Sequence, residues 1–199
     1  AITPKTKMMW FSSPCNQSGS VYNREELTAL AKVLEKYPNI IVVADEIYEH
    51  INFSGTFCSI GSIPGMLEKT VTVNGVAKAF AMTGYRIGYI GAPEFIAKAC
   101  TKIQGQVTSG ANSVAQRATI TAVDADPSVL NHMVQAFHSR RDLVVGLLKE
   151  IPGIKINVPE GAFYVFPDVS SFFGKTLKGT EIKDANDMAM YLLAEACVA

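Results

Sequence analysis

Two cations, Lys78 and Arg86, stand in the stretch Thr70 to Pro93, TVTVNGVAKAFAMTGYRIGYIGAP, which is apolar and glycine-rich and holds no acidic residue. Such surroundings predict that both are drawn out of water, where an unpaired charge costs several kcal/mol. A desolvated amine is a candidate nucleophile toward a carbonyl, and a guanidinium is suited to hold a phosphate through its fork of donors. Together the pair suggests an aldehyde that carries a phosphate.

The elements around them must supply the rest of a site. Met8 to Phe11, IIVVAD, TVTVN and GYIGAP read as short buried strands, and NREELTALAKVLEKYP, Glu94 to Gln104 and Ser113 to Val123 read as helices. This alternation predicts an α/β layer architecture with a mostly parallel sheet. In such a sheet ligands sit beyond the carboxyl ends of the strands, so the polar residues there are the ones to inspect. They are Asn16, then Asp45 and Tyr48, then Lys78.

After Asp126-Pro127 a long helix is expected from Ser128 to about Glu150, ended by Pro152-Gly153. Beyond it come short runs (IKINV, AFYVF), a polar Gly/Lys/Thr loop, and a helix from Ala185 onward. A boundary near Pro127 would divide the chain into residues 1–126 and 127–199. The 18 Lys and Arg balance 18 Asp and Glu across 199 residues, which gives no field to gather nucleic acid or an anionic membrane. Four scattered cysteines without a CxxC motif favour free thiols in a reducing, cytoplasmic setting.

The segments ADEIY, NGVAKAFAMTGYRIGY and SPCNQSGSVY resemble the fold-type I pyridoxal-phosphate aminotransferases of class I/II, on the bacterial-type aspartate aminotransferase branch. The resemblance runs along essentially the whole chain. It implies a three-layer sheet in an incomplete large domain, residues 1–126, and part of a smaller α+β C-terminal domain, residues 127–199. It also implies that pyridoxal 5′-phosphate forms a Schiff base with Lys78, which later shuttles a proton. Asp45 would pair with the pyridine nitrogen, Tyr48 and Asn16 would hydrogen-bond the ring's phenolate oxygen, and Arg86 would hold the phosphate. The implied reaction moves an amino group between an L-amino acid, aspartate in the first instance, and a 2-oxo acid such as 2-oxoglutarate, in a homodimer.

The departures are specific. The turn that commonly reads NPTG in the family reads Asn16-Gln17-Ser18-Gly19, and Ala77 stands where many relatives place a phosphate-touching serine. The family's front half and its carboxylate-gripping terminal arginine find no counterpart, so an internal fragment, inactive alone, is expected. Gly161 to Tyr164 resembles a segment near the substrate but reads equally well as an alternating core strand. Gly174-Lys175-Thr176 lacks the upstream glycine of a phosphate loop, since Val169 stands there, and reads as a solvated loop. Two rivals share these residues: a carbon–sulfur lyase on the same scaffold, and a non-catalytic structural or dimerisation piece.

Overall fold

The structure is a computed structural model that describes residues 1–198. Four strands form one sheet in the order β1 (Met8–Ser12), β2 (Ile41–Asp45), β3 (Thr70–Asn74), β4 (Tyr89–Gly91). The first three are parallel and β4 runs antiparallel to β3. The architecture is α/β with a mostly parallel sheet, as the sequence predicts.

Register decides which face does what. Met9, Phe11, Val42 and Ala44 point to one side, because alternate residues of a strand face alternate sides. Helix α1 (Arg24–Leu34) covers that side, burying Leu27, Ala31 and Leu34 against Val42, Ala44, Ile60, Ile63 and Met66. Its start is fixed by a capping box: the Asn23 side chain accepts from Glu26 N at 3.0 Å, and Glu26 Oε2 accepts from Asn23 N at 2.9 Å. The opposite face carries Trp10, Ser12, Val43 and Asp45, and there Trp10 is 70% exposed.

Downstream lie α2 (Glu94–Val107), α3 (Ser113–Val123), α4 (Asn131–Lys149) and α5 (Ala185–Ala196). The long helix expected from Ser128 instead starts as a 3-10 turn, Pro127–Leu130, capped by Asp126, whose side chain accepts from Ser128 N. No described helix is long and apolar enough to cross a membrane.

Two expectations are corrected. The stretch around Gly174 to Ile182 is not a solvated loop but an antiparallel hairpin, β5 (Lys175–Leu177) with β6 (Thr180–Ile182). Its turn residues Lys178 and Gly179 both take positive φ, 47° and 85°, which suits the twist of a two-residue hairpin connection. Conversely, IKINV and AFYVF form no strands; IKINV contributes one isolated bridge, Lys155 with Asp168, and the other, Gly161 with Asn52, lies at the glycine just before AFYVF. The Gly161 segment has spent its backbone groups elsewhere. Gly19 O accepts from both Glu160 N (2.8 Å) and Gly161 N (2.9 Å), and Ile51 O accepts from Ala162 N (2.8 Å).

Candidate functional site

The carboxyl ends of β1, β2 and β3 open onto a cavity of about 530 Å³. It is lined by Asn16, Asp45, Tyr48 and Lys78 together with Trp10, Ser12, Cys15, Gln17, Ile47 and Tyr164. Of the five residues singled out in the sequence, all but Arg86 therefore share one space.

Each is placed by its own turn. Asp45 closes β2 and its Oδ1 accepts from Ile47 N at 3.2 Å, which starts the turn that swings Tyr48 back toward β1. The Tyr48 ring is 2% exposed, and its hydroxyl donates to Asn16 Oδ1 at 2.8 Å. Burial above all, then the neighbouring Tyr164 and the Asp45 charge, push the Tyr48 phenol well above its ordinary value, so it stays a donor at any physiological pH.

Asn16 itself is exposed, in the turn between Ser13 and Ser20. The Ser18-Gly19 corner of that turn is held from the far end of the chain, since Ser18 O accepts from Asn157 Nδ2 at 2.7 Å. Gly19 takes φ +68°, and a Cβ there would lie 2.4 Å from Pro159 Cβ. Glycine is thus required by both backbone and space.

Lys78 follows β3 in a helical turn in which Phe80 N donates to Val76 O (3.2 Å) and Ala81 N to Lys78 O (3.3 Å). Buried Val76 and Ala79 anchor this turn and leave Lys78 half-buried at the cavity wall. Its Nζ lies 5.6 Å from the Tyr48 ring centroid and 5.3 Å from that of Phe163. Aromatic faces attract a cation at such distances. Among the described residues Lys78 pairs with no carboxylate.

Arg86 is the exception. It is exposed, not buried, with φ +52°, and its Nη1 donates to Thr83 O at 3.0 Å. It lines a separate, larger cavity of about 1420 Å³ between β4, α2 and the start of α3. The Ala81 to Ile90 segment around it forms a 3-10 turn, Thr83–Tyr85, and the strand β4.

Sequence reasoning weighed Phe163 and Tyr164 as a segment near the substrate but left them out of the site, because the alternation of GAFYVF reads at least equally well as a core strand. In the structure Phe163 stands edge-on to Tyr48, with centroids 5.3 Å apart at 81°, and stacks on Phe137 at 5.1 Å. Cys15 was noted only as a thiol. It lines the cavity, and although burial alone would raise it, hydrogen bonds from Ser18 and Gln17 hold it below its ordinary value.

An amine, a phenol bonded to an amide and a carboxylate converging on one cavity is a donor set for an aromatic carbonyl compound. Residues 1–199 match the family described as aminotransferase class I and II. The chain belongs to this family. The bifunctional aspartate aminotransferase and glutamate/aspartate-prephenate aminotransferase of Petunia hybrida is 44% identical over 203 residues, which is 100% of this chain and 42% of that protein. The aspartate/prephenate aminotransferase of Cereibacter sphaeroides is 44% identical over 202 residues, 100% of this chain and 50% of its own length. Among solved structures, the aspartate aminotransferase from Rhizobium meliloti superposes with a TM-score of 0.94 at 41% identity, covering 100% of this chain and 50% of that one. The chain spans about half the length of these aminotransferase relatives.

Proposed function

We propose that the protein to which this chain belongs is a pyridoxal-phosphate-dependent aminotransferase that moves an amino group between L-aspartate and a 2-oxo acid such as 2-oxoglutarate. The observation that carries the reading is the convergence of Lys78, Asp45 and the Tyr48–Asn16 pair on one cavity.

The residues present fit the ring half of this cofactor. Its pyridine nitrogen calls for a carboxylate, its ring oxygen for hydrogen-bond donors and its aldehyde for an amine; the cavity wall offers Asp45, Tyr48 with Asn16, and Lys78. The phosphate half would rest on Arg86, across the second cavity, and on backbone donors. When bound, the cofactor supplies an electron sink for the pair released as the substrate's α-proton departs.

This chain's groups do the remainder. Asp45 would accept from the pyridine nitrogen and favour a proton there. Tyr48 keeps its proton and would turn it from Asn16 Oδ1 toward the ring oxygen when the cofactor is bound. Lys78 would hold the cofactor at its aldehyde carbon and would serve as the base that moves a proton at the substrate's α-carbon. Tyr164 lines one side of the cavity and packs against Phe163.

The same reading assigns residues 1–126 to the cofactor-binding domain and 127–199 to the linking helix and part of a smaller domain. It makes the whole protein a cytoplasmic homodimer, and makes this chain inactive without the rest of the polypeptide. Product analysis of the full-length protein with cofactor and L-aspartate tests it. Stoichiometric oxo acid with pyridoxamine phosphate supports transamination, whereas ammonia released by elimination, from aspartate or from a sulfur-bearing amino acid, would assign the scaffold to a lyase.

A further inference from the structure

Behind the cavity, a polar cluster that takes no part in the roles above joins the Tyr48 turn to the Lys78 turn. Asn74, 9% exposed at the end of β3, accepts from Gly75 N at 2.7 Å and donates through Nδ2 to Glu49 Oε1, also at 2.7 Å. Glu49 directly follows Tyr48, and its Oε1 lies 3.3 Å from His50 Nε2. Glu49 N donates in turn to Glu46 O at 2.9 Å, and Glu46 N to Val73 O at 2.9 Å. One carboxylate therefore holds the amide that starts the Lys78 turn, and its own backbone is tied to the strand leading into that turn.

Packing at the same place leaves no slack. A Cβ on Gly75 would meet Ile87 O at 3.1 Å, Gly88 Cα at 3.2 Å and Ile47 Cδ1 at 3.3 Å. Ile47 belongs to the Tyr48 turn and lines the cavity. The two turns thus touch through apolar atoms and are pinned by one charge-assisted hydrogen bond, the stronger kind.

We propose that Glu49 is a positioning residue: by accepting the Asn74 amide it clamps the Lys78 turn to the Tyr48 turn, so that the amine faces the same cavity as the phenol. The inference rests on the reading of Lys78 as the cofactor-bonding amine. The groups facing Glu49 are Asn74, His50, Glu46 and Tyr89. Hydrogen bonding to Glu49 raises the His50 imidazole, and burial followed by the Glu49 charge raises the Tyr89 phenol, so both register this carboxylate.

The test reverses the polarity of the bond in the full-length protein. Asn74→Asp keeps the acceptor for Gly75 N but sets a second carboxylate against Glu49; Glu49→Gln keeps an acceptor for Asn74. The double variant, Glu49→Gln with Asn74→Asp, restores a bond in the opposite sense, with the amide now at position 49 donating to the carboxylate now at position 74. The measurement is the rate at which the visible band of lysine-bonded cofactor grows after mixing with pyridoxal phosphate, with circular dichroism as the check on folding. Asn74→Asp should slow the band about tenfold, the cost of one charged hydrogen bond, Glu49→Gln, which keeps the acceptor but loses its charge, should slow it only about two- to threefold, and the double variant should recover. Should Asn74→Asp not fold, Glu49→Ala, which removes the acceptor, carries the same tenfold expectation. Folded variants that all match wild type, or a double variant no faster than Asn74→Asp, overturn the clamp while leaving Lys78 in place. A wild-type band that is absent, or that survives Lys78→Ala, overturns the reading and the clamp with it.

Discussion

The Tyr48 hydroxyl donates to the Asn16 side-chain oxygen at 2.8 Å, closing a contact between turns that lie 32 residues apart. Because Tyr48 is buried and Asn16 exposed, the bond is directional support for the phenol more than a store of stability. Tyr48→Phe leaves Asn16 free to hydrate, so folding stability should fall by only about 0.5–1 kcal/mol in urea titrations. Cofactor affinity should fall by more, about tenfold by fluorescence titration, because in the proposed site the hydroxyl turns its proton from Asn16 to the cofactor's ring oxygen.

Gly161 is the knuckle that brings Tyr164 to the cavity. A Cβ there would stand 2.7 Å from Pro14 Cβ and 2.9 Å from Ile51 O, atoms held by backbone and not by a flexible side chain. Gly161→Ala should destabilise the fold by about 1–3 kcal/mol. Thermal unfolding reads this directly, and an unchanged midpoint would mean that the 161–164 segment is not seated against the Asn16 turn.

Glu46 makes stability depend on pH. It is 4% exposed, its Oε1 accepts from Ser59 Oγ at 2.7 Å, and burial above all, with the Glu49 charge behind it, raises its carboxyl from 4.5 to about 7. The folded chain holds this proton where the unfolded chain has lost it, so stability should decline as pH rises from 4.5 to about 7 and then level off. Glu46→Gln removes the titration and should be more stable than wild type above that range by on the order of 2 kcal/mol. Denaturant melts at acidic and mildly alkaline pH separate the two proteins if the account holds.

Arg86 sits at φ +52°, where a side chain strains the backbone and glycine does not. Arg86→Gly exchanges about 1–2 kcal/mol of strain for about 0.5–1 kcal/mol of added backbone freedom, so stability should hardly change. Phosphate holding should suffer, with pyridoxal phosphate bound at least about tenfold more weakly while pyridoxal, which lacks the phosphate, is bound as before. Equal losses for both ligands would remove Arg86 from the phosphate's partners.

The site was legible where local pattern and position coincide. Strands ending in Asp45 and Asn74 follow from buried runs that break into polar residues, and Tyr48 and Lys78 follow from the strand-end rule. What failed to show was set by distant parts of the chain. Tyr164 reaches the cavity, with Phe163 packed beside it on Tyr48, because Gly19 O and Ile51 O take up the backbone of residues 160–162, a contact no periodicity can announce. Arg86 departs in the other direction: in this chain, which spans about half the length of its relatives, its apolar neighbours in sequence form no buried shell around it. The β5–β6 hairpin was hidden by its polar strands, Lys175–Leu177 and Thr180–Ile182, which lie largely in solvent.

The central claim is that Lys78 is the amine that bonds the cofactor. Treating the full-length protein with pyridoxal phosphate, reducing with borohydride and mapping the labelled peptide by mass should place the pyridoxyl group on Lys78 and leave Lys78→Ala unlabelled in that peptide. Label spread over surface lysines such as Lys98 and Lys175, with Lys78 unmodified, would contradict it.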